Sequence, residues 1–251
     1  MPDGWELHRA RSARWLSRVD SLPDAGRYVH DLGLALLFPA ERVDAPSLWE
    51  AVAGEDAKPF ADGMGPHEAR LWTWKDELPS AGLAWYGKFL HRRASLLSPE
   101  LLAALYPGRG TEDDHRALEL SRDAHEIVDA LRGGPLTTAA LRRIVGDKAR
   151  YERAAGELHR QLLITSGGVD SRGGGWPASV VDLTCRLFTV GGQADPAYVT
   201  RRYVDTMLLT TVRQMARALG WPVPVSRQRL DVLVADGLAD RPSRDTYTAV
   251  R

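Results

Sequence analysis

Between residues 121 and 191 the hydrophobic pattern changes from helical to extended. A serine N-cap is followed by apolar residues at spacings of three and four, which predicts a helix: Ala124, Ile127, Val128 and Leu131. The stretches PLTTAALRRIVG and KARYERAAGELHRQL predict two more helices. LLITS and VVDLTCRLF then predict strands around a glycine-rich loop. Three helices, a strand, a loop and a returning strand are the order of a winged helix.

The flanking segments show related patterns. A helix is predicted from Pro23 to about Leu37, where Pro39 stops it, and LAWYGKFLHRRASLLS predicts a hairpin near 83–97. Toward the C-terminus, PAYVTRRYVDTMLLTTVRQMARALG predicts one long helix or two, VPVSRQRLDVLVADG another, and LADRPSRDTYTAV a tight hairpin. We therefore predict a mainly α fold with small β-hairpins (α+β), built from tandem winged-helix subdomains. The expected divisions are a helical N-terminal subdomain at 1–110, a central winged helix at 111–191 and a winged-helix-like subdomain at 192–251.

Composition restricts the class of protein. The 251 residues are 44% hydrophobic and include one cysteine, so neither a disulfide framework nor a cysteine zinc site is expected. No signal peptide or membrane span is evident, which predicts a cytoplasmic protein. The 33 basic and 33 acidic residues balance, but residues 132–160 hold seven basic against three acidic side chains. That local excess favours DNA, duplex and possibly damaged, as the partner.

The stretch 149–162 carries the main candidate interface. With its apolar face inward, Arg150, Arg153, Glu157 and Arg160 form one outer stripe. Arginines on such a helix can contact guanine edges or phosphates, whereas an ordinary solvated helix face is the alternative.

Other basic segments are weaker candidates. In the loop after LLITS, Arg172 could reach a groove or the backbone, while Trp176 more simply anchors the returning strand. In the hairpin, Lys88, Arg92 and Arg93 alternate with aromatic residues, a pattern of nucleic-acid surfaces and equally of half-buried strands. Near the C-terminus, Arg227 and Arg229 precede the core positions of a possible second recognition helix.

Aromatic residues are concentrated in one stretch of the N-terminal part. Trp72, Trp74, Trp85 and Tyr86 are candidates for stacking on an exposed base, although a small hydrophobic core is the simpler interpretation. Phosphate-binding, nucleotide-binding, hydrolase and metalloprotease motifs are missing, so no cofactor is expected and catalytic residues stay unknown. Asp113 and Asp114 mark a predicted helix start, where acids stabilise the helix, so we expect no metal there.

Three stretches resemble a known family: LALLFPAERVDAPSLWEAVAG, WTWKDELPSAGLAWYGKFLHRRASLL and ELHRQLLITSGG. They are similar to divergent, AlkZ-related members of the AlkZ (YcaQ) family of bacterial DNA glycosylases, over residues 34 to 168. The resemblance implies stacked winged helices and DNA binding. Glycosylases of that family carry a Gln-x-Gln motif in the N-terminal part, thought to position water and a catalytic group. Here the glutamines are Gln161, Gln193, Gln214 and Gln228, so the motif is missing.

Three functions therefore stay open. The first is a DNA-binding protein linked to recognition of DNA damage. The second is a glycosylase that excises alkylated or crosslinked bases with other catalytic residues; Asp62, Asp76 and Glu77 are the carboxylates near the tryptophans. The third is a protein–protein interaction module, which zero net charge also suits. The oligomeric state and the lesion are not encoded in any recognisable motif.

Overall fold

The computed structural model describes residues 18–41, 43–170 and 178–250. Within these residues the order helix, strand, helix, helix, strand, strand occurs three times. Each repeat contributes one antiparallel sheet whose third strand lies between the other two. This is the arrangement of a winged helix, so the fold is an α+β tandem of such units, as the hydrophobic pattern predicted.

The elements have the following bounds. The first repeat contains α1 (Leu22–Leu32), β1 (Leu34–Leu36), α2 (Leu48–Ala53), α3 (Pro66–Ser80), β2 (Trp85–Lys88) and β3 (Ala94–Leu97). Helix α4 (Pro99–Leu105) leads to the second repeat: α5 (Arg122–Leu131), β4 (Leu136–Thr137), α6 (Thr138–Val145), α7 (Lys148–Arg160), β5 (Ile164–Asp170) and β6 (Ala178–Leu183). A short α8 (Thr184–Leu187) precedes the third: α9 (Pro196–Met207), β7 (Leu209–Thr211), α10 (Val212–Leu219), α11 (Val223–Ala235), β8 (Ala239–Ser243) and β9 (Thr246–Ala249).

Local sequence sets these boundaries through side-chain caps. The hydroxyl of Ser121 accepts from the backbone N–H of Ala124 at the start of α5, and Ser98 caps α4 in the same way. At the C-terminal end of α1, Gly33 adopts φ 83° and donates its N–H to the carbonyl of Val29. The helix therefore ends before β1, and the prediction that it continues to about Leu37 was wrong.

Another prediction, on the strand that follows the glycine-rich loop, was wrong in part. VVDLTCRLF is a strand only as far as Leu183, because its second half turns into α8. The segment from Pro196 is two helices separated by β7, which is one of the two alternatives that the sequence left open. The first strand of every repeat was missed, since two or three residues are too few for an alternating pattern.

The first sheet lies between two hydrophobic cores. Leu34 and Leu36 belong to the larger core, which all three repeats share, whereas Ala35 and Leu37 belong to a smaller core inside the first repeat. Successive residues of a strand point to opposite faces, so both faces of β1 are buried. Trp85 on β2 extends the larger core and is 0% exposed.

The third repeat is fixed to the first by hydrogen bonds to the end of α1. Arg202 donates to the carbonyls of His30 and Asp31, at 2.5 Å each. Thr206 donates to the carbonyl of Leu32, also at 2.5 Å. These donors satisfy carbonyl groups that the end of a helix otherwise leaves unpaired.

The sequence-based divisions at 110/111 and 191/192 fall between repeats, and the domain boundaries themselves stay a prediction. Among the helices of the described ranges, none is long and apolar enough to cross a membrane.

Candidate nucleic-acid interface

A basic cleft runs between α7 and the first hairpin. A cavity of about 620 Å³ brings together five of the predicted cations: Lys88, Arg92, Arg150, Arg153 and Arg160. Two of them come from the hairpin of the first repeat and three from α7 of the second. Segments separated by more than fifty residues thus form one surface, and we call it the basic cleft.

The basic cleft continues into a larger cavity where the three repeats meet. This second cavity, of about 820 Å³, also contains Arg92 and Arg160, and α10 adds Arg217. Phe89 and Trp221 supply aromatic walls. The described residues that line it include no acidic side chain, so its potential is positive.

Ion pairs divide the cations of the basic cleft into two groups. Arg150 is bound to Asp123 by two hydrogen bonds, and Lys88 Nζ lies 3.0 Å from Glu152 Oε2. By contrast, the exposed side chains of the remaining three form no ion pair with a described residue: Arg92, Arg153 and Arg160. These three are the charges most available to an external anion.

Glu157 has a structural role in the stripe. Its carboxylate accepts hydrogen bonds from the N–H and hydroxyl of Ser121, at 2.9 and 2.6 Å. It therefore reinforces the N-terminal cap of α5. A free carboxylate in the stripe would repel phosphate, but that of Glu157 is held at the start of α5 by these two hydrogen bonds.

The turn of the first hairpin holds Arg92 in an unusual backbone conformation. His91 and Arg92 have φ values of 50° and 60°, a region that costs non-glycine residues about 1–3 kcal/mol each. The buried Ser95 hydroxyl fixes this turn, because it accepts from Leu90 N–H at 3.0 Å and donates to the Arg93 carbonyl at 2.6 Å. Strain of this kind persists only where the surrounding structure holds it, and it is frequent at functional sites.

The other predicted basic residues lie apart from the cleft. Arg93 is exposed next to Arg92 but lines neither cavity. Arg227 forms an ion pair with Asp245 at 2.7 Å, and Arg229 has its Nε buried. Arg172 and Trp176 fall outside the described residues.

The aromatic candidates separate by burial. Trp85 is fully buried and donates its indole N–H to Thr184 Oγ1 at 3.1 Å, and Trp74 is 7% exposed in the smaller core. Neither ring has a free face, so a stacking role does not fit them. Trp72 is 48% exposed with the Lys75 ammonium 5.2 Å from its ring centre, and Tyr86 lines a third cavity.

This third cavity, of about 180 Å³, lies between the first and second repeats, and we call it the polar pocket. Asp76 is 4% exposed and accepts hydrogen bonds from Ser166 Oγ at 2.6 Å, Lys75 Nζ at 2.7 Å and Ser179 Oγ at 3.2 Å. Lys75 in turn donates to Ser179 at 3.1 Å. This network binds α3 to β5 and β6, and α3 is therefore not free to enter a DNA groove.

The structure separates the three carboxylates near the tryptophans. Asp62 and Glu77 are exposed, whereas Asp76 is buried at the base of the polar pocket. Burial in a hydrogen-bonded cavity is typical of functional carboxylates and also of structural ones.

His159 forms another wall of the polar pocket. Burial and the charge of Lys88 lower its pKa to about 4, although Glu152 opposes the shift. The ring packs edge-on against Trp85 at 6.1 Å, and its Nδ1 is buried without a hydrogen-bond partner in the described residues. The imidazole is therefore neutral near pH 7 and has an unused polar atom.

Sequence reasoning missed several of these residues. Ser166, Ser179 and Arg217 carry no motif, since only the packing of the repeats brings them to the cavities. Gly156 did give a signal, because a glycine inside a predicted helix needs a reason.

The acidic cluster after α4 has a structural explanation. Asp114 accepts three backbone N–H groups, from Arg109, Gly110 and Thr111, at 2.8–3.0 Å. Burial acts to raise the pKa of Asp114, but these hydrogen bonds outweigh it and lower the pKa below its usual value. No group of three or more potential metal ligands occurs in the residues that the structure covers.

Comparison with known proteins identifies the family. The family model described as AlkZ related matches residues 19–217. Among solved structures, the DNA glycosylase AlkZ of Streptomyces sahachiroi is similar, with a TM-score of 0.55 and 16% identity over 100% of this chain and 71% of that one. At that identity the likeness shows a common fold, and a search of curated proteins gives no match. The resemblance drawn from the sequence is confirmed, and the chain belongs to the AlkZ-related family.

Proposed function

We propose that this protein binds DNA in the basic cleft, with a role in recognising DNA damage. The observation that supports this most is the convergence of Arg92 from the hairpin with Arg153 and Arg160 from α7, none of them engaged in an ion pair with a described residue. A balanced overall charge does not oppose the proposal, because binding to phosphate depends on local charge.

The mode of binding follows from which recognition helix is accessible. In each winged helix the third helix is the usual groove-reading element. In the first repeat that helix, α3, is bound to β5 and β6 through Asp76. In the third, α11 keeps an exposed face, but its Arg227 is paired with Asp245, so this charge is less available to phosphate than the unpaired arginines of α7. We therefore assign DNA binding to the outer face of α7, together with the turn of the first hairpin.

Fluorescence anisotropy of a labelled duplex at several salt concentrations tests this assignment. The triple variant Arg92→Ala, Arg153→Ala, Arg160→Ala should weaken binding and reduce the salt slope by about one for each phosphate that is no longer neutralised. The control variant removes three exposed arginines outside the cavities: Arg27→Ala, Arg116→Ala and Arg201→Ala.

Three results would be decisive. Loss of affinity in the cleft variant alone supports the proposal. An unchanged slope in that variant contradicts the assigned surface. If the wild-type protein binds neither duplex nor single-stranded DNA at low salt, DNA binding itself is excluded and a protein partner becomes the better hypothesis.

A second candidate function is base excision, and the burial of Asp76 next to the cleft is the observation that favours it. A carboxylate there could orient a water molecule toward a sugar carbon. Incubating stoichiometric protein with alkylated or crosslinked duplex and assaying abasic sites tests this function. Release of a base by the wild type, abolished in folded Asp76→Asn, would support it; no release from any substrate would count against it.

A further inference from the structure

Gly156 lies at the boundary between the basic cleft and the polar pocket. It lines both cavities, and only Lys88 and Glu152 do the same among the described residues. Glycine weakens a helix interior, yet a β-carbon at this position of α7 would meet no atom within 4 Å. Packing thus does not require glycine here. What its missing side chain provides is open space between the two cavities.

The pocket behind Gly156 is small, polar and partly aromatic. Its volume of about 180 Å³ is below the roughly 300–1,000 Å³ of sites for drug-sized ligands, so it suits a single ring system. Tyr86 and His159 line it, with the Lys75–Asp76 pair at the base. The buried Nδ1 of His159 has no partner among the described residues, and such an atom is stabilised when a ligand or water bonds to it.

The charges of the two cavities point to different parts of one ligand. The available arginines of the cleft suit phosphates. In the pocket the cations are already paired, Lys75 with Asp76 and both Lys88 and Arg142 with Glu152, so no unpaired cation is offered to a phosphate. The carboxylate oxygens can accept the N–H groups of a neutral heterocycle. A nucleotide whose base has left the stack combines both features, because its phosphate is an anion and its base is a neutral planar ring.

We propose that the polar pocket receives one unpaired nucleobase from DNA held in the basic cleft, with Gly156 as the passage. This inference rests on the proposed DNA binding and adds to it the chemical feature that is recognised. The exposed Lys88–Glu152 pair lies at the same boundary, where its two side chains can move aside for the base.

Substitutions at Gly156 test the passage without touching the arginines. Gly156→Leu fills the boundary, while Gly156→Ala is the matched control that the structure accommodates. Anisotropy compares a fully paired duplex with the same duplex carrying one unpaired base. We expect wild type and Gly156→Ala to prefer the unpaired base about tenfold, the effect of one stacked base. Gly156→Leu should lose that preference, measured as the ratio of its affinities for the two duplexes.

A second measurement works without DNA binding. The His159 ring signals are followed by NMR as 9-methyladenine or 1-methylthymine is added. They should shift in wild type and Gly156→Ala but stay fixed in Gly156→Leu.

The two measurements separate the proposals. If the wild type binds the paired duplex, two results overturn the pocket proposal. One is that the wild type shows no preference for the duplex with the unpaired base, and the other is that Gly156→Leu retains that preference. Where no duplex binds, the proposed function fails and the NMR titration decides: blocked shifts in Gly156→Leu support the pocket, and unshifted or unblocked signals overturn it.

Discussion

Lys75 Nζ lies 2.7 Å from Asp76 Oδ2, and both side chains are buried where the first two repeats meet. Adjacent residues on a helix rarely form such a pair. Here the ammonium also lies 5.8 Å from the centre of the Tyr86 ring, and the carboxylate accepts from Ser166 on β5. The pair is satisfied only when the second repeat is docked, so its charges specify that docking.

Asp76→Ala should lower the free energy of unfolding by about 3–5 kcal/mol, because Lys75 would stay buried without its anion. The double variant Lys75→Met, Asp76→Leu should lower the free energy of unfolding much less, because it removes both charges of the buried pair. Urea unfolding measures both. The exposed neighbour Glu77→Ala is the control, and an Asp76→Ala loss no larger than the Glu77→Ala loss would contradict the assigned role.

Asp123→Asn should increase the affinity for DNA. Asp123 holds Arg150 at the edge of the basic cleft, so the substitution releases a guanidinium and removes a negative charge that faces phosphate. We expect the salt slope in anisotropy titrations to become steeper by about one. Glu126→Gln, which frees Arg122 outside the cavities, should have little effect. Weaker binding by Asp123→Asn would argue against the cleft.

Gly87→Ala and Gly156→Ala should change stability in opposite directions. A β-carbon at Gly87 would overlap the Trp85 ring and lie 2.8 Å from His159 Cδ2, so we expect a loss of about 1–3 kcal/mol. A β-carbon at Gly156 would meet no atom within 4 Å, so alanine, the better helix former, should raise the free energy of unfolding by about 0.5–1 kcal/mol. Thermal and urea unfolding compare the two, and equal signs would show that one environment is misassigned.

Stability should fall as the pH drops from 6.5 toward 4, through His159. Burial, with the charge of Lys88, lowers its pKa from 6.5 to about 4 in the folded protein. Above pH 6.5 both states are neutral. Below pH 6.5 His159 becomes protonated in the unfolded chain but stays neutral in the folded protein, so the free energy of unfolding falls. This decrease levels off near pH 4, where the folded protein is protonated as well. In urea unfolding between pH 7 and 5, His159→Phe should show a flatter profile than wild type. An identical profile would mean that His159 does not set it.

The sequence predicted those parts of the molecule that depend on local chemistry. The cap at Ser121 and the stripe on α7 follow from residues within a few positions of one another. The first strands of the repeats could not be predicted, because β4 has two residues and takes its form from pairing with β6.

The cavities depend on packing between distant segments. Ser179 bonds to Lys75 across 104 positions, and Thr165 satisfies both the N–H and the carbonyl of Tyr86, which lies on an edge strand of the first sheet. The hydrophobic pattern shows which face of a helix is buried, but not which element packs against that face. The stripe was therefore visible in the sequence, while the polar pocket and Arg217 were not.

A sheet with one face in water can be separated from its neighbours and stay folded, but the sheet of β1, β2 and β3 has no such face. A fragment limited to the first repeat would expose part of the larger core, to which Leu34, Leu36 and Trp85 belong and which continues into the other two repeats. Fragments of the remaining repeats would expose the opposite side of the same core to water. We therefore expect that the three winged helices do not fold independently and that they unfold together in one cooperative transition.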